Sequence, residues 1–479
     1  MLKMFKLLFL LLLIVSSVTM SLFVSAATHQ YDIEIDESIA VAAVKICFDG
    51  EAPDFLTVDS KYANRDLLKL PESEHGLIEI QGRYWKTKYL PNNACLSYRV
   101  SIERHHAKRT KKTANKRKNV AYIESNTWLW LPEAHSKHDD IKLSFKLPKW
   151  AAISAPWYQT SLESYEFLMG HQPQDWGYTL LIGDFSQQLY PISPGHYLNI
   201  ATVRGLANKE EITRWLVDTA KAVERYLGDY PVKQTQVIVI EKTKQKHGPV
   251  PWGDFSRGNG FGIRFVIVPS YEIKEFYADW TATHEFSHQL LPKLNYDDIW
   301  LSEGLSSYLQ YVLMGQAGTL EIDKAWYRIY KGLKRGEKGT ENVGEEKLKF
   351  AADRRRSGGR AGRTMRIYWS GAAYFLNADL QLRKQSNGKV GLNDILLKLN
   401  QCCVPAEKIW TGAELAKKLD ELAQSNIFLP SYWKMANSAE FPDYKSTFSE
   451  LGISLPNKTS SRSGRVKLQA DSFALAIMQ

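Results

Sequence analysis

The sequence predicts an α+β chain of more than one domain, an antiparallel β domain followed by a mainly helical one. Three observations carry that reading. Residues 31 to about 200 hold short runs of alternating character, YDIEI, GLIEIQGRYW, LSYRVSIERH and IKLSFKLP, separated by Pro, Asn, Asp and Gly. A period of two marks half-buried strands, and the separators mark turns. From Asn208 onward the apolar spacing becomes helical, interrupted only by the strand-like QTQVIVIEK and IRFVIVPS. The third observation is the peptide HEFSH at 284–288, with Glu303 following in WLSEGLSSYLQ. A length of 479 residues accommodates two or three domains. The boundaries read as a leading segment 1–26, a sandwich-like β domain 27–200, a mainly helical domain 201–455 and a polar tail 456–479. Tryptophan and tyrosine are frequent in the first domain, as in SNTWLWLP and APWYQT, and are expected in its core or its interface with the second.

The leading segment has a basic start, MLKMFK, an apolar run LLFLLLLIVSSV, and VSA before Ala27. That order is the pattern of a cleaved secretory signal and implies export, to a periplasm or the cell exterior. An uncleaved anchor from Leu7 to Val24 is the alternative. Cys47 and Cys95 lie in strand-like stretches and are expected to pair in an oxidising compartment. Cys402 and Cys403 are adjacent, and because neighbours in sequence pair only with difficulty they are expected to be free and buried, or one of them to have another partner.

Around HEFSH, the residues EIKEFYADWTAT and QLLPKL extend a helical pattern from about Tyr277 to Leu291, broken by Pro292. His284 and His288 are four apart and therefore share one helix face. A polar turn, LNYDD, precedes a second helix starting near Ile299, which brings Glu303 back toward the histidines. Two imidazoles and one carboxylate are a ligand set for a single zinc ion with one coordination position left open, which is the arrangement of a hydrolytic site. Glu285 then stands beside the metal, where a carboxylate can serve as general base.

HEFSH together with WLSEGLSSY resembles the gluzincin metallopeptidases, in particular the aminopeptidase N and glycyl aminopeptidase types. The resemblance implies a thermolysin-like catalytic domain, a peptide or protein substrate, zinc held by His284, His288 and Glu303, and Glu285 as the base. It also implies an oxyanion-donating tyrosine at the start of a downstream helix. In RIYWSGAAYF that position is Tyr368, three residues before Gly371. The patches LNDILLKLN, the Thr411 and Glu414 capping box, PDY and ELGISL are similar to the helical tail of the glycyl aminopeptidase type.

The chain departs from the family pattern in four places. The spacing from His288 to Glu303 is shorter than in the aminopeptidase N type, Ser302 stands where that type has asparagine, and Ser370 replaces the lysine before Gly371. The segment upstream of the zinc motif reads RGNGFGIRFVIVPS and lacks the glutamate that anchors a substrate amine. Asn259 and Gly260 are expected to offer backbone hydrogen bonds to an extended peptide there, and Glu272 or Glu275 could replace the missing carboxylate. Action on free amino termini and action within chains both remain open. So does a catalytically silent envelope-binding role for a remnant zinc site.

The formal charge is +10. It concentrates in RHHAKRTKKTANKRK at 104–118 and DRRRSGGRAGRTMR at 353–366. The first reads as a solvated loop able to touch an anionic envelope surface. The second reads as a glycine-rich mobile loop leading up to Tyr368, with arginines suited to carboxylates on a substrate. A nucleic-acid partner is not expected of an exported zinc hydrolase.

Overall fold

The computed structural model describes residues 27–102, 120–133, 140–161, 164–169, 177–242, 248–257, 260–359, 362–404, 406, 408–456 and 464–479. The leading segment, the basic stretch 104–118 and Asn259 lie outside the described residues.

The first domain packs an eight-stranded sheet against smaller sheets of four and three strands. Alternation in the sequence sets the inner face: in the strand Thr28–Ile35, Tyr31, Ile33 and Ile35 are buried while Asp32 and Glu34 are exposed. The pairs are antiparallel with one exception. Thr28–Ile35 lies parallel to Asp140–Lys146, a non-local pairing that hydrophobic alternation alone does not encode. The tryptophans of SNTWLWLP and APWYQT form core. Trp85 and Trp130 stack with ring centroids 4.1 Å apart, and Tyr98 stands edge-on to both. Trp128 and Trp157 are fully buried as well. Each such ring contributes on the order of 1.5–3 kcal/mol of transfer free energy. Cys47 and Cys95 face each other in register across antiparallel strands and are disulfide-bonded.

The second domain opens before the expected boundary at 201, with a five-stranded sheet in the order Phe185–Ser193, His196–Val203, Gln234–Glu241, Phe261–Ile267, Trp252–Arg257. The helix Lys209–Leu227 makes the crossover between two parallel strands, burying Ile212, Leu216, Ala220, Val223 and Leu227 at helical spacing. Gly228, at φ +87°, ends it in the left-handed conformation. The strand Trp252–Arg257 runs antiparallel on the sheet edge. Most of the remaining chain is helical.

The two domains meet through an apolar cluster, in which Leu181 packs with Ile238, Ile240 and Val266, and through polar and backbone contacts. Trp157 forms an antiparallel bridge with Gly260, the Gln236 amide donates to the Ser154 hydroxyl at 3.1 Å, and Arg264 lies 3.7 Å from Glu124.

Three expectations for the second domain are corrected. Residues 464–479 are not a polar tail. Lys467–Leu468 pairs with Ile453–Ser454, and the helix Phe473–Met478 buries Ala474, Ile477 and Met478, which fall on one face at i, i+3 and i+4. The stretch 353–366 is mostly helix: Leu348–Arg356 ends in its arginines, and Arg363–Gln385 begins with others. The buried carboxylate of Glu346 draws them together, 3.0 Å from Arg354 and 2.9 Å from Arg363. Finally, Cys402 and Cys403 are bonded to each other and Cys402 is exposed. They terminate the helix Leu392–Cys403, where the next residue, Val404, is already extended and helical geometry is no longer required.

Candidate metal centre and active site

The zinc-motif helix, Thr281–Ser287, is shorter than its pattern implied. Asp279 adopts an extended conformation, and its carboxylate accepts from the Thr281 amide at 2.8 Å. This local bond competes with helix continuation and splits the expected helix in two, Ile273–Ala278 and Thr281–Ser287. His288 follows as the first residue of a 3₁₀ turn. The four-residue offset survives, because the turn continues the same winding, and the two imidazole centroids lie 5.0 Å apart.

The helix Ile299–Gln316 carries Glu303. Its entry is fixed by Asp298, a buried residue of the supposedly polar turn. The Asp298 carboxylate accepts from the Gly412 amide at 2.7 Å and from the Tyr432 hydroxyl at 2.8 Å. Backbone bonds from Trp410 to Lys293 and from Asn295 to Trp410, both 2.8 Å, clamp the connecting loop. The short connection is thus held from outside by the C-terminal helices.

These elements bring His284, His288 and Glu303 together, with ligand-type atoms all within 4.8 Å of one another. Glu303 Oε2 lies 3.3 Å from His284 Nε2 and 3.7 Å from His288 Nε2. A tetrahedral zinc at its usual ligand distances sets donor atoms about 3.3 Å apart, so the residues fit this ion. Each imidazole is oriented from behind. His284 Nδ1 faces the Gln310 side-chain oxygen at 2.9 Å, and His288 Nδ1 faces the Ser302 hydroxyl at 3.2 Å, which turns both Nε2 atoms toward Glu303. Rings close the flanks, Phe255 stacked on His288 at 5.6 Å and Tyr368 on His284 at 5.8 Å.

The electrostatics follow from this packing. Burial alone would raise Glu303, but the His284 hydrogen bond, the charges of both histidines and the Tyr368 hydroxyl outweigh it and hold the carboxyl at about 2. Tyr368 is pushed well above the ordinary phenol range, by burial first and by the Glu303 charge second. It stays a hydrogen-bond donor at every physiological pH. Glu285 is buried against the edge strand, at a place where a β-carbon on Gly253 would come within 2.7 Å of its Cγ.

A cavity of about 760 Å³ opens over the cluster. Its lining includes His284, Glu285, His288, Glu303 and Tyr368 together with the edge-strand residues Gly253 to Ser256. Gly260 is not among them. Its backbone is engaged by Trp157 of the first domain, so the edge available to a ligand is Trp252–Arg257, the strand paired next to the segment expected. Glu272 and Glu275 form a capping box at the start of Ile273–Ala278 and do not line the cavity. Asp254 does line it, but Arg264 forks it, with Nε 3.0 Å from Oδ1. The sequence reading missed Gln310, Asp298, Asp254 and Phe255. Gln310 carried a usable signal, a polar residue two turns after Glu303 inside the apolar run SYLQYVL.

No protein-family model matches the chain, and no curated protein does. Solved structures do. An aminopeptidase N family protein from Idiomarina loihiensis aligns with a TM-score of 0.60 at 14% identity, covering 89% of this chain and 78% of the other. An M1 zinc metallopeptidase from Deinococcus radiodurans, in a mutant form bound to a Tyr-Ser-Ala substrate, aligns at 0.53 and 11% identity, covering 87% and 95%. The chain has the fold of the M1 zinc metallopeptidases. That likeness places an N-terminal β domain before a helical C-terminal region, the order found here. Among the described residues no helix is long and apolar enough to cross a membrane.

Proposed function

We propose that this protein is a zinc-dependent metallopeptidase that hydrolyses peptide bonds, aminopeptidase-like in its action, and works outside the cytoplasm. The observation that carries the reading is the convergence of His284, His288 and Glu303 beneath a cavity that also exposes Glu285 and Tyr368. One zinc ion held by the three ligands supplies Lewis acidity to the site. The Glu285 carboxylate takes the proton of the attacking water and passes it to the leaving amine. The Tyr368 hydroxyl, turned from Glu303 toward the substrate, donates to the oxyanion that forms on the scissile carbonyl. The edge strand Trp252–Arg257 aligns an extended peptide by backbone pairing. The tripeptide bound to the Deinococcus radiodurans protein supports a peptide as substrate. Export is supported by the signal-like leading sequence and by disulfides that persist in an oxidising compartment.

The test is turnover of a mixed set of free and amino-blocked peptides by the purified mature protein, with zinc measured on the same sample and a chelator control. Chelator-sensitive cleavage of free peptides alone supports the aminopeptidase reading. Cleavage of blocked peptides would make it an endopeptidase, the second reading, which is favoured by the Arg264 fork on Asp254. Stoichiometric zinc with no cleavage of any peptide sinks both.

A further inference from the structure

The basic stretch 353–366 has five described arginines, and four of them are hydrogen-bonded to other residues of the protein. Arg354 and Arg363 bond Glu346, Arg366 lies against Glu346 and donates to the Ser438 carbonyl, and Arg355 donates through Nε to the Thr364 hydroxyl. Arg356 differs. It lies on the wall of the catalytic cavity, its guanidinium carbon 5.2 Å from the centre of the Tyr296 ring, another lining residue. Among the described residues it forms no ion pair.

Two of the cavity's carboxylates are engaged elsewhere: Glu303 faces the two imidazoles, and Asp254 is forked by Arg264. An arginine laid on an aromatic ring keeps its planar fork oriented while its N–H edge remains open to a ligand. The ligand such a fork fits best is a carboxylate, bound through two parallel charge-assisted hydrogen bonds. A cavity of this size holds several substrate side chains at once.

We propose that Arg356 is a specificity-determining residue of the cavity, selecting peptides that present a carboxylate near the reacting bond. The carboxylate is either an acidic side chain or a free C-terminus. This inference rests on the peptidase reading above and names the substrate class of that site.

Three peptides of one length decide it: one with a glutamate and an amidated end, its glutamine counterpart with an amidated end, and the glutamine counterpart with a free carboxyl end. For the wild-type protein, kcat/KM on one or both carboxylate peptides exceeds that on the neutral peptide by about tenfold or more. The peptide showing the excess identifies the source of the carboxylate. In Arg356→Ala the ratio collapses to about one, and Arg356→Lys restores part of it. Arg354→Ala removes a charge from the same helix turn but faces Glu346, so it leaves the ratio unchanged. A wild-type ratio near one on both peptides, or a ratio that Arg356→Ala does not move, overturns the proposal. The same ratios are read as binding by calorimetry in zinc-loaded Glu285→Gln, with and without Arg356→Ala. If the wild-type protein cleaves no peptide, the peptidase reading fails, and the binding ratios alone support or overturn the subsite.

Discussion

Gly304 and Gly371 touch backbone to backbone where the helices Ile299–Gln316 and Arg363–Gln385 cross. A β-carbon on Gly371 would sit 1.8 Å from the Trp300 carbonyl oxygen and 2.7 Å from the Gly304 Cα. The contact lies one residue after Glu303 and one helical turn after Tyr368, so it sets how closely the phenol approaches the metal ligand. Gly371→Ala therefore pushes the two helices apart. The expected cost is about 1–3 kcal/mol of stability, read as a lower urea midpoint. Turnover should fall by more than the folded fraction does. Normal turnover per folded molecule would disprove the role of this crossing in placing Tyr368.

Glu285→Gln and Tyr368→Phe separate chemistry from metal binding. Neither side chain belongs to the His284, His288 and Glu303 cluster, so both variants should bind zinc at wild-type stoichiometry. Loss of the base lowers kcat by about 10²–10⁴-fold. Loss of the phenol lowers it by about 10²–10³-fold, because the donor acts on charge that develops only in the transition state. Zinc content and single-turnover rate on the same samples check both. A Glu285→Gln protein that still cleaves peptides at wild-type rate rules out the assigned base.

Gln310 orients His284 from behind, at 2.9 Å, and does not line the cavity. Gln310→Leu keeps the volume but removes the acceptor, leaving the imidazole free to rotate or change tautomer. Zinc affinity should drop by about 10–100-fold, measured by competition with a chromophoric chelator, with the fold preserved by circular dichroism. Ser302→Ala weakens the corresponding contact to His288, at 3.2 Å, and is expected to have the smaller effect. Unchanged affinity in Gln310→Leu would show that packing alone, from Tyr368 on one side, fixes the His284 ring.

The sequence reading and the structure agree where the signal is local. Periodicity is enough to find the first-domain strands and the helix that starts at Ile299, and the four-residue spacing of His284 and His288 survives even though Asp279 cuts the expected helix. What periodicity does not carry is long-range placement. The edge strand Trp252–Arg257 reads as WGDFSR, without the alternation that announces a strand, so the sequence points instead to Gly260 as the ligand edge. Asp298 looks like a turn residue until Gly412 and Tyr432 arrive from more than a hundred positions away. The arginines near 353–366 look like a loop because their shared partner, Glu346, is buried by tertiary packing. Adjacent cysteines are not expected to pair with each other because the usual rule assumes a regular backbone around them, and Cys402 and Cys403 lie where a helix stops.

The last helix, Phe473–Met478, is the most direct test of how the second domain is held together. Ala474, Ile477 and Met478 are each no more than 1% exposed. The Trp326 indole donates to the Ala474 carbonyl at 3.2 Å, and the Gln316 amide donates to the Ile477 carbonyl at 2.9 Å. Met478 reaches Gly315 on the helix that carries Glu303, where an added β-carbon would lie 2.6 Å from its sulfur. Deleting residues 473–479 exposes the Trp326 and Gly315 surfaces and should cost on the order of 3–6 kcal/mol, about the transfer free energy of the isoleucine and methionine together. That is a large share of the stability of an ordinary domain. The truncated protein should show a lower thermal midpoint for the second domain and weaker zinc retention, since the helix bearing Glu303 loses a packing partner. Met478→Ala, a smaller lesion at the same place, should cost about 2–5 kcal/mol without removing the backbone bonds. Equal midpoints for full-length and truncated protein would mean that these residues are an appendage and that the second domain is complete without them.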